Sequence, residues 1–142
     1  MRSSAELVEQ FRSHGLKATP QRELIFRLLE NDTSHPTAKD LYASALKLMP
    51  TISLKTVYQV LHDLQELGEV RALEVGTGAT RFHTSDEHHH LVCRGCTAIV
   101  DVAFDASLVV LPKQRKYGFS IDEVELTFRG LCPNCQTAIN DF

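Results

Sequence analysis

Two Cys-x-x-Cys pairs, Cys93–Cys96 and Cys132–Cys135, are separated by 35 residues in a chain with no other cysteine. Each two-residue gap presents two sulfurs from one tight turn, and a zinc ion takes four such ligands at the corners of a tetrahedron. A single closed four-cysteine site accounts for every thiol and obliges two distant segments to meet. Two disulfides would use the same residues. However, Met1-Arg2-Ser3-Ser4 opens no apolar leader, so the chain is expected in the cytoplasm, where thiols stay reduced. A redox Cys-x-x-Cys is the stronger competitor, but two pairs with no βαβ pattern around either argue against it.

With 142 residues, 43% hydrophobic and 23% charged, the chain reads as a globular protein of one domain or two small ones. No apolar run approaches the roughly 20 residues of a membrane span, so no membrane partner is expected. Charge is uneven. Residues 1–60 carry eight Lys/Arg against six Asp/Glu, and residues 61–142 carry seven against twelve. A mildly basic front half thus precedes an acidic, metal-friendly back half.

The front half reads as helices. Ser4 to His14 is amphipathic, with Leu7, Val8 and Phe11 on one face and Gly15 after it. Thr19 caps a helix with Pro20 at its first position. Thr37-Ala38-Lys39-Asp40 resembles a capping box, followed by Leu41, Ala45 and Leu48 on one side. Ser53 opens a fourth helix with Val57, Leu61 and Leu64 inward, and Gly68 ends it. The run 70–75 alternates, Gly76-Thr77-Gly78 turns, and 79–84 returns: a hairpin. Helices followed by a hairpin make a winged helix-turn-helix. Short strands are expected at 91–93, 98–103 and 124–128, and a helix over 105–117 kinked or divided by Pro112. The expected fold class is α+β, with domains at 1–84 and 85–142.

A helix that enters the major groove needs an apolar back and a polar front bearing donors and acceptors. Lys55, Thr56, Tyr58 and Gln59 supply such a front, with His62 further along. Tyr58 suits a thymine methyl or a phosphate, Gln59 adenine, and Lys55 phosphate or guanine. Thr19, Gln21 and Arg22 begin the earlier capped helix, where backbone N–H groups and arginine favour phosphate. A solvated polar helix face has the same pattern; the capped helices and the hairpin favour double-stranded DNA.

A histidine run, His88-His89-His90, stops just short of Cys93, and surface histidine runs are usually only solvated. On an extended segment His88 and His90 share a face while His89 points away, and Asp101 could add a carboxylate from the next strand. His35, His83, His88, His90 and Asp101 together would make a nitrogen/oxygen site for Fe²⁺, Mn²⁺, Zn²⁺ or Ni²⁺. Spacing alone does not join His35 and His83 to it.

From Gly15 to Cys135 the chain resembles the ferric uptake regulator family of bacterial metal-dependent repressors. The matching segments are Thr19-Pro20-Gln21-Arg22, His35-Pro36-Thr37-Ala38, Ser53-Leu54-Lys55-Thr56-Val57-Tyr58, Arg81-Phe82, the stretch from His88 to Cys96, and Cys132-Pro133-Asn134-Cys135. The resemblance implies an N-terminal winged helix and a C-terminal α/β dimerisation domain with structural Zn²⁺ on Cys93, Cys96, Cys132 and Cys135. It also implies a homodimer on a palindromic operator, and a regulatory site for Fe²⁺ or Mn²⁺ on His35, His83, His88, His90 and Asp101. In the peroxide-sensing branch peroxide reacting at bound Fe²⁺ oxidises a ligand histidine, for which His35 and His88 are the matching positions. One departure stands out: the residue after Arg-aromatic is usually Glu in iron sensors and Asp in peroxide sensors, and here it is His83. An imidazole makes the site softer, favouring Zn²⁺, Ni²⁺ or Co²⁺ relative to the usual set. Gly76-Thr77-Gly78 and Val60-Leu61-His62 still look most like the iron- and peroxide-responsive branch, with a zinc- or nickel-sensing repressor as the alternative. A further accessory site of some members looks absent, since its positions fall near Leu108 and Val124.

An enzyme is not expected. The chain has neither the His-x-Glu of zinc deaminases nor a His-Glu-x-x-His zincin motif, and four cysteines leave no open zinc position for a substrate water. No small organic substrate is implied. A zinc-ribbon interaction module would leave the capped helices of the first 68 residues unexplained.

Overall fold

The computed structural model describes residues 1–74, 76, 78–84 and 89–140. The chain divides into two compact units, Met1–Asp86 and Glu87–Phe142.

The first unit holds four helices and a small hairpin: α1 (Ser4–Ser13), α2 (Pro20–Leu29), α3 (Ala38–Leu48), α4 (Leu54–Glu66), β1 (Arg71–Leu73) and β2 (Arg81–His83). Every one of the four helices starts on a hydroxyl. Ser3, Thr19, Thr37 and Ser53 each accept from a backbone N–H of the first turn, satisfying a donor that the helix leaves open. Ser3 with Glu6 and Thr37 with Asp40 complete reciprocal capping boxes. At the far end of α4, Gly68 (φ +72°) donates to Gln65 O at 2.9 Å and Glu69 donates to Leu64 O at 2.9 Å. That is a Schellman ending, and its left-handed residue favours glycine. The apolar stripes meet in one core, with Phe11 and Phe26 edge to face at 4.7 Å beside Ile25, Leu29, Val57, Leu61 and Leu64. Leu48, expected on the buried side of α3, is instead 67% exposed in the last turn.

The second unit is a three-stranded sheet in the order β4-β3-β5, built from β3 (His89–Cys93), β4 (Ile99–Val102) and β5 (Thr127–Gly130), and α5 (Pro133–Asn140) follows. β3 is central, antiparallel to β4 and parallel to β5. The strand expected at 124–128 lies a few residues later. The helix expected over 105–117 does not form; the segment makes two 3₁₀ turns, Ala106–Leu108 and Lys113–Arg115. Asp105 accepts from both the N–H and the hydroxyl of Ser107, closing a local turn. Val109 and Val110 are β-branched, Pro112 has no N–H, and the apolar run 108–111 stays exposed among the described residues.

Candidate metal centres and nucleic-acid face

The knuckle after β3 brings the first two cysteines together. Cys93 N–H donates to Ala98 O at 2.9 Å and Thr97 N–H to Cys93 O at 3.0 Å, so the chain doubles back with Cys96 inside the turn. Arg94 N–H reaches Gly130 O at 2.8 Å, drawing the end of β5 alongside. The second pair opens α5. Cys132 precedes Pro133, and its carbonyl accepts from Gln136 N–H at 3.0 Å, as a helix-capping residue does. The positive end of that helix therefore faces the sulfurs, a favourable setting for thiolates.

All four Sγ atoms lie within 4.8 Å of one another, and none forms a disulfide. Cys96 Sγ and Cys132 Sγ are 3.8 Å apart. A tetrahedron with bonds of about 2.3 Å has edges of about 3.8 Å, so the spacing fits zinc. Three backbone N–H groups, from Gly95, Cys96 and Cys132, point at Cys93 Sγ at 3.3 to 3.5 Å. Those donors, Cys132 foremost, pull the Cys93 thiol down to about 6. Cys135, crowded by the sulfur of Cys132 and then that of Cys93, is pushed up to about 12. A bound zinc ion would resolve that conflict, since Cys93, Cys96, Cys132 and Cys135 would all serve it as thiolates. A Cβ on Gly95 would lie 2.8 Å from Cys135 Sγ and 3.1 Å from Cys135 Cβ, so the cradle has room only for glycine.

The nitrogen/oxygen candidates form one group in each unit. In the first, Phe82 N–H donates to Pro36 O at 2.9 Å, and Thr37 bridges Arg81, adding the 35–37 segment to the hairpin edge. This long-range pairing sets the buried rings of His35 and His83 6.2 Å apart. His35 adopts a left-handed φ of +53°. In the second unit, His90 on β3 pairs in register with Asp101 on β4, and His90 Nε2 lies 3.2 Å from Asp101 Oδ1. His89 faces elsewhere: Leu126 N–H donates to its Nδ1 at 3.1 Å, and its ring meets Phe104 edge-on at 5.8 Å. His88 lies outside the described residues.

Six of the seven DNA-contact candidates line one cleft of about 400 Å³ in the first unit: Thr19, Gln21, Arg22, Lys55, Thr56 and Gln59. The seventh, Tyr58, is 50% exposed on the outer face of α4. Arg22 and Gln59 are less free than the sequence suggests. Arg22 Nη1 donates to Lys17 O at 3.0 Å, its guanidinium sits 5.4 Å above the Phe11 ring, and Gln59 Nε2 donates to Asp63 Oδ1 at 3.1 Å. Asp63 is the residue that reading the sequence missed, because its partner Arg22 is far upstream.

A capped four-helix head with a wing, followed by a sheet carrying a four-cysteine cation centre, defines a metal-binding regulator. The chain belongs to the ferric uptake regulator family, whose model matches residues 13–129. It is 37% identical over 137 residues to the ferric uptake regulation protein of Bacillus subtilis, covering 89% of this chain and 90% of that protein. It is 32% identical over 137 residues to the peroxide operon regulator of the same organism, covering 95% and 94%. The solved peroxide stress regulator of Campylobacter jejuni superposes with a TM-score of 0.68 at 34% identity, covering 91% of this chain and 98% of that one. These relatives are regulators, so the protein is a regulator and not an enzyme.

Proposed function

We propose that this protein is a cytoplasmic, metal-dependent repressor that binds a palindromic DNA operator as a homodimer and responds to Fe²⁺ or Mn²⁺. The observation that carries the DNA reading is the convergence of Thr19, Gln21, Arg22, Lys55, Thr56 and Gln59 on one cleft, with Tyr58 exposed alongside. Two capped helix starts open onto it, offering N–H groups and cations to phosphate and an amide to a base edge.

Cys93, Cys96, Cys132 and Cys135 would hold a structural Zn²⁺. His35, His83, His88, His90 and Asp101 would hold the regulatory ion. That ion would favour whichever state of the protein binds it better, and so would couple metal binding to DNA binding. The residues divide the work accordingly: His35 and His83 belong to the DNA-binding unit at 1–84, His88, His90 and Asp101 to the dimerisation unit at 85–142. With four imidazoles and one carboxylate the set also suits Zn²⁺ or Ni²⁺. Whether peroxide is sensed is read from oxidation of His35 or His88 in the Fe²⁺ form.

The dimer reading rests on the second unit. Val100, Leu91 and Phe128 are cross-strand partners in one row of the sheet, and each is more than 40% exposed. Leu108, Val110 and Phe119 are also exposed, and a second copy covering the row would take its apolar side chains out of water.

Tyr58→Ala tests the DNA reading. It should weaken binding to a duplex selected in vitro by the wild type about tenfold or more, with metal content and dimerisation unchanged. Unchanged affinity would remove Tyr58 from the interface.

A further inference from the structure

Asp63 lies at the edge of the buried face of α4, only 9% exposed, beside the buried Val60 and Leu64. A carboxylate there is costly unless it is paired. Its partners lie on two different helices. Oδ1 accepts from Gln59 Nε2 at 3.1 Å, and Oδ2 lies 3.3 Å from Arg22 Nη2, an ion pair without an aligned hydrogen bond. Arg22 is in turn held by Lys17 O and the face of Phe11. Asp63 thus joins the first turn of α2 to the cleft side of α4.

We propose that Asp63 is a positioning residue that fixes the amide orientation of Gln59, and through it the base preference of the recognition helix. The inference rests on the DNA-binding reading. A carboxylate can only accept, so the amide nitrogen of Gln59, and not its oxygen, faces Asp63. The remaining N–H and Oε1 then form a fixed donor–acceptor pair. Such a pair matches N7 and the N6 amino group of adenine, while guanine offers two acceptors there. Without the carboxylate the amide can turn over, and the pair no longer has a fixed sense. Asparagine at 63 has nearly the same shape but can donate as well as accept, so it removes the constraint and keeps the packing.

The test uses the whole 142-residue chain loaded with Zn²⁺ and Mn²⁺, and a duplex that the wild type enriches from a random library. Each base pair of one half-site is then substituted in turn, and competition binding is measured for wild type, Asp63→Asn, Gln59→Ala and the double variant. Gln59→Ala should flatten preference at one position by roughly 5- to 100-fold, the range of a two-bond base contact. Asp63→Asn should flatten that same position by about fivefold or more while leaving the others, and the double variant should do no more than Gln59→Ala. A purely structural brace would instead lower affinity for every duplex alike, and that outcome overturns the proposal. So does an unaltered base profile in Asp63→Asn, or in the exposed Gln59→Ala should Asp63→Asn fail to fold. If the wild type enriches no sequence, the DNA-binding reading falls too; if it does and only the variants disagree, this inference alone falls.

Discussion

Gly95 shows what one absent side chain contributes. The Cβ it lacks would stand inside contact distance of Cys135, whose own position is set by α5. Gly95→Ala must therefore displace a ligand or a turn, and overpacking of this kind costs about 1–3 kcal/mol. We expect zinc affinity to drop by at least about tenfold, read by competition with a chromogenic chelator; wild-type affinity would mean that Cys135 can move at no cost. His35 presents the reverse case, a residue whose backbone is unusual (φ +53°). Asparagine also tolerates that conformation. His35→Asn should keep the fold and one zinc per chain yet lose the metal response of DNA binding. Retention of that response in the folded variant would take His35 out of the regulatory set.

Among the elements, α3 links caps to site most directly, since its N-cap follows His35-Pro36. Thr37 Oγ1 accepts from Asp40 N–H at 3.1 Å and Thr37 N–H donates to Asp40 Oδ2 at 2.9 Å. Thr37→Ala should cost about 1 kcal/mol, measured as a shift in the denaturant midpoint at unchanged slope. The Thr37 backbone bond, with the side-chain bond second, holds the Asp40 carboxyl below its usual value. Because the folded value is the lower one, this contribution is present above the unfolded carboxyl range and is lost as pH falls through the folded value. Wild type and Asp40→Ala should therefore converge in stability in acid; an undiminished difference there would contradict the cap's dependence on a charged Asp40.

Caps and cysteine turns were legible in the sequence because their partners lie within a few residues. The pairing of 35–37 with β2, which joins His35 to His83, was not, since it depends on contacts some 46 residues apart. Asp63 was illegible for the same reason. Residues 105–117 differ for another reason: a helix there needs a buried face, and the apolar run 108–111 is exposed among the described residues.

In the whole molecule the zinc centre and the dimer should fail together. The knuckle, β5 and α5 converge on the sulfurs, and the apolar row Val100-Leu91-Phe128 lies on the same sheet. Cys132→Ser should lose about one zinc per chain and sediment as a monomer. A dimeric, zinc-replete Cys132→Ser would separate the two.

In the proposed function, metal and operator stabilise the same state of the protein. Linkage then requires each to strengthen the other's binding by the same factor. The direct measurement is operator affinity as a function of Fe²⁺ and Mn²⁺, with zinc already bound, alongside metal affinity with and without operator, for wild type and His90→Ala. Wild type should show equal enhancement in both directions and His90→Ala none. Operator affinity that is the same with and without either metal would contradict it.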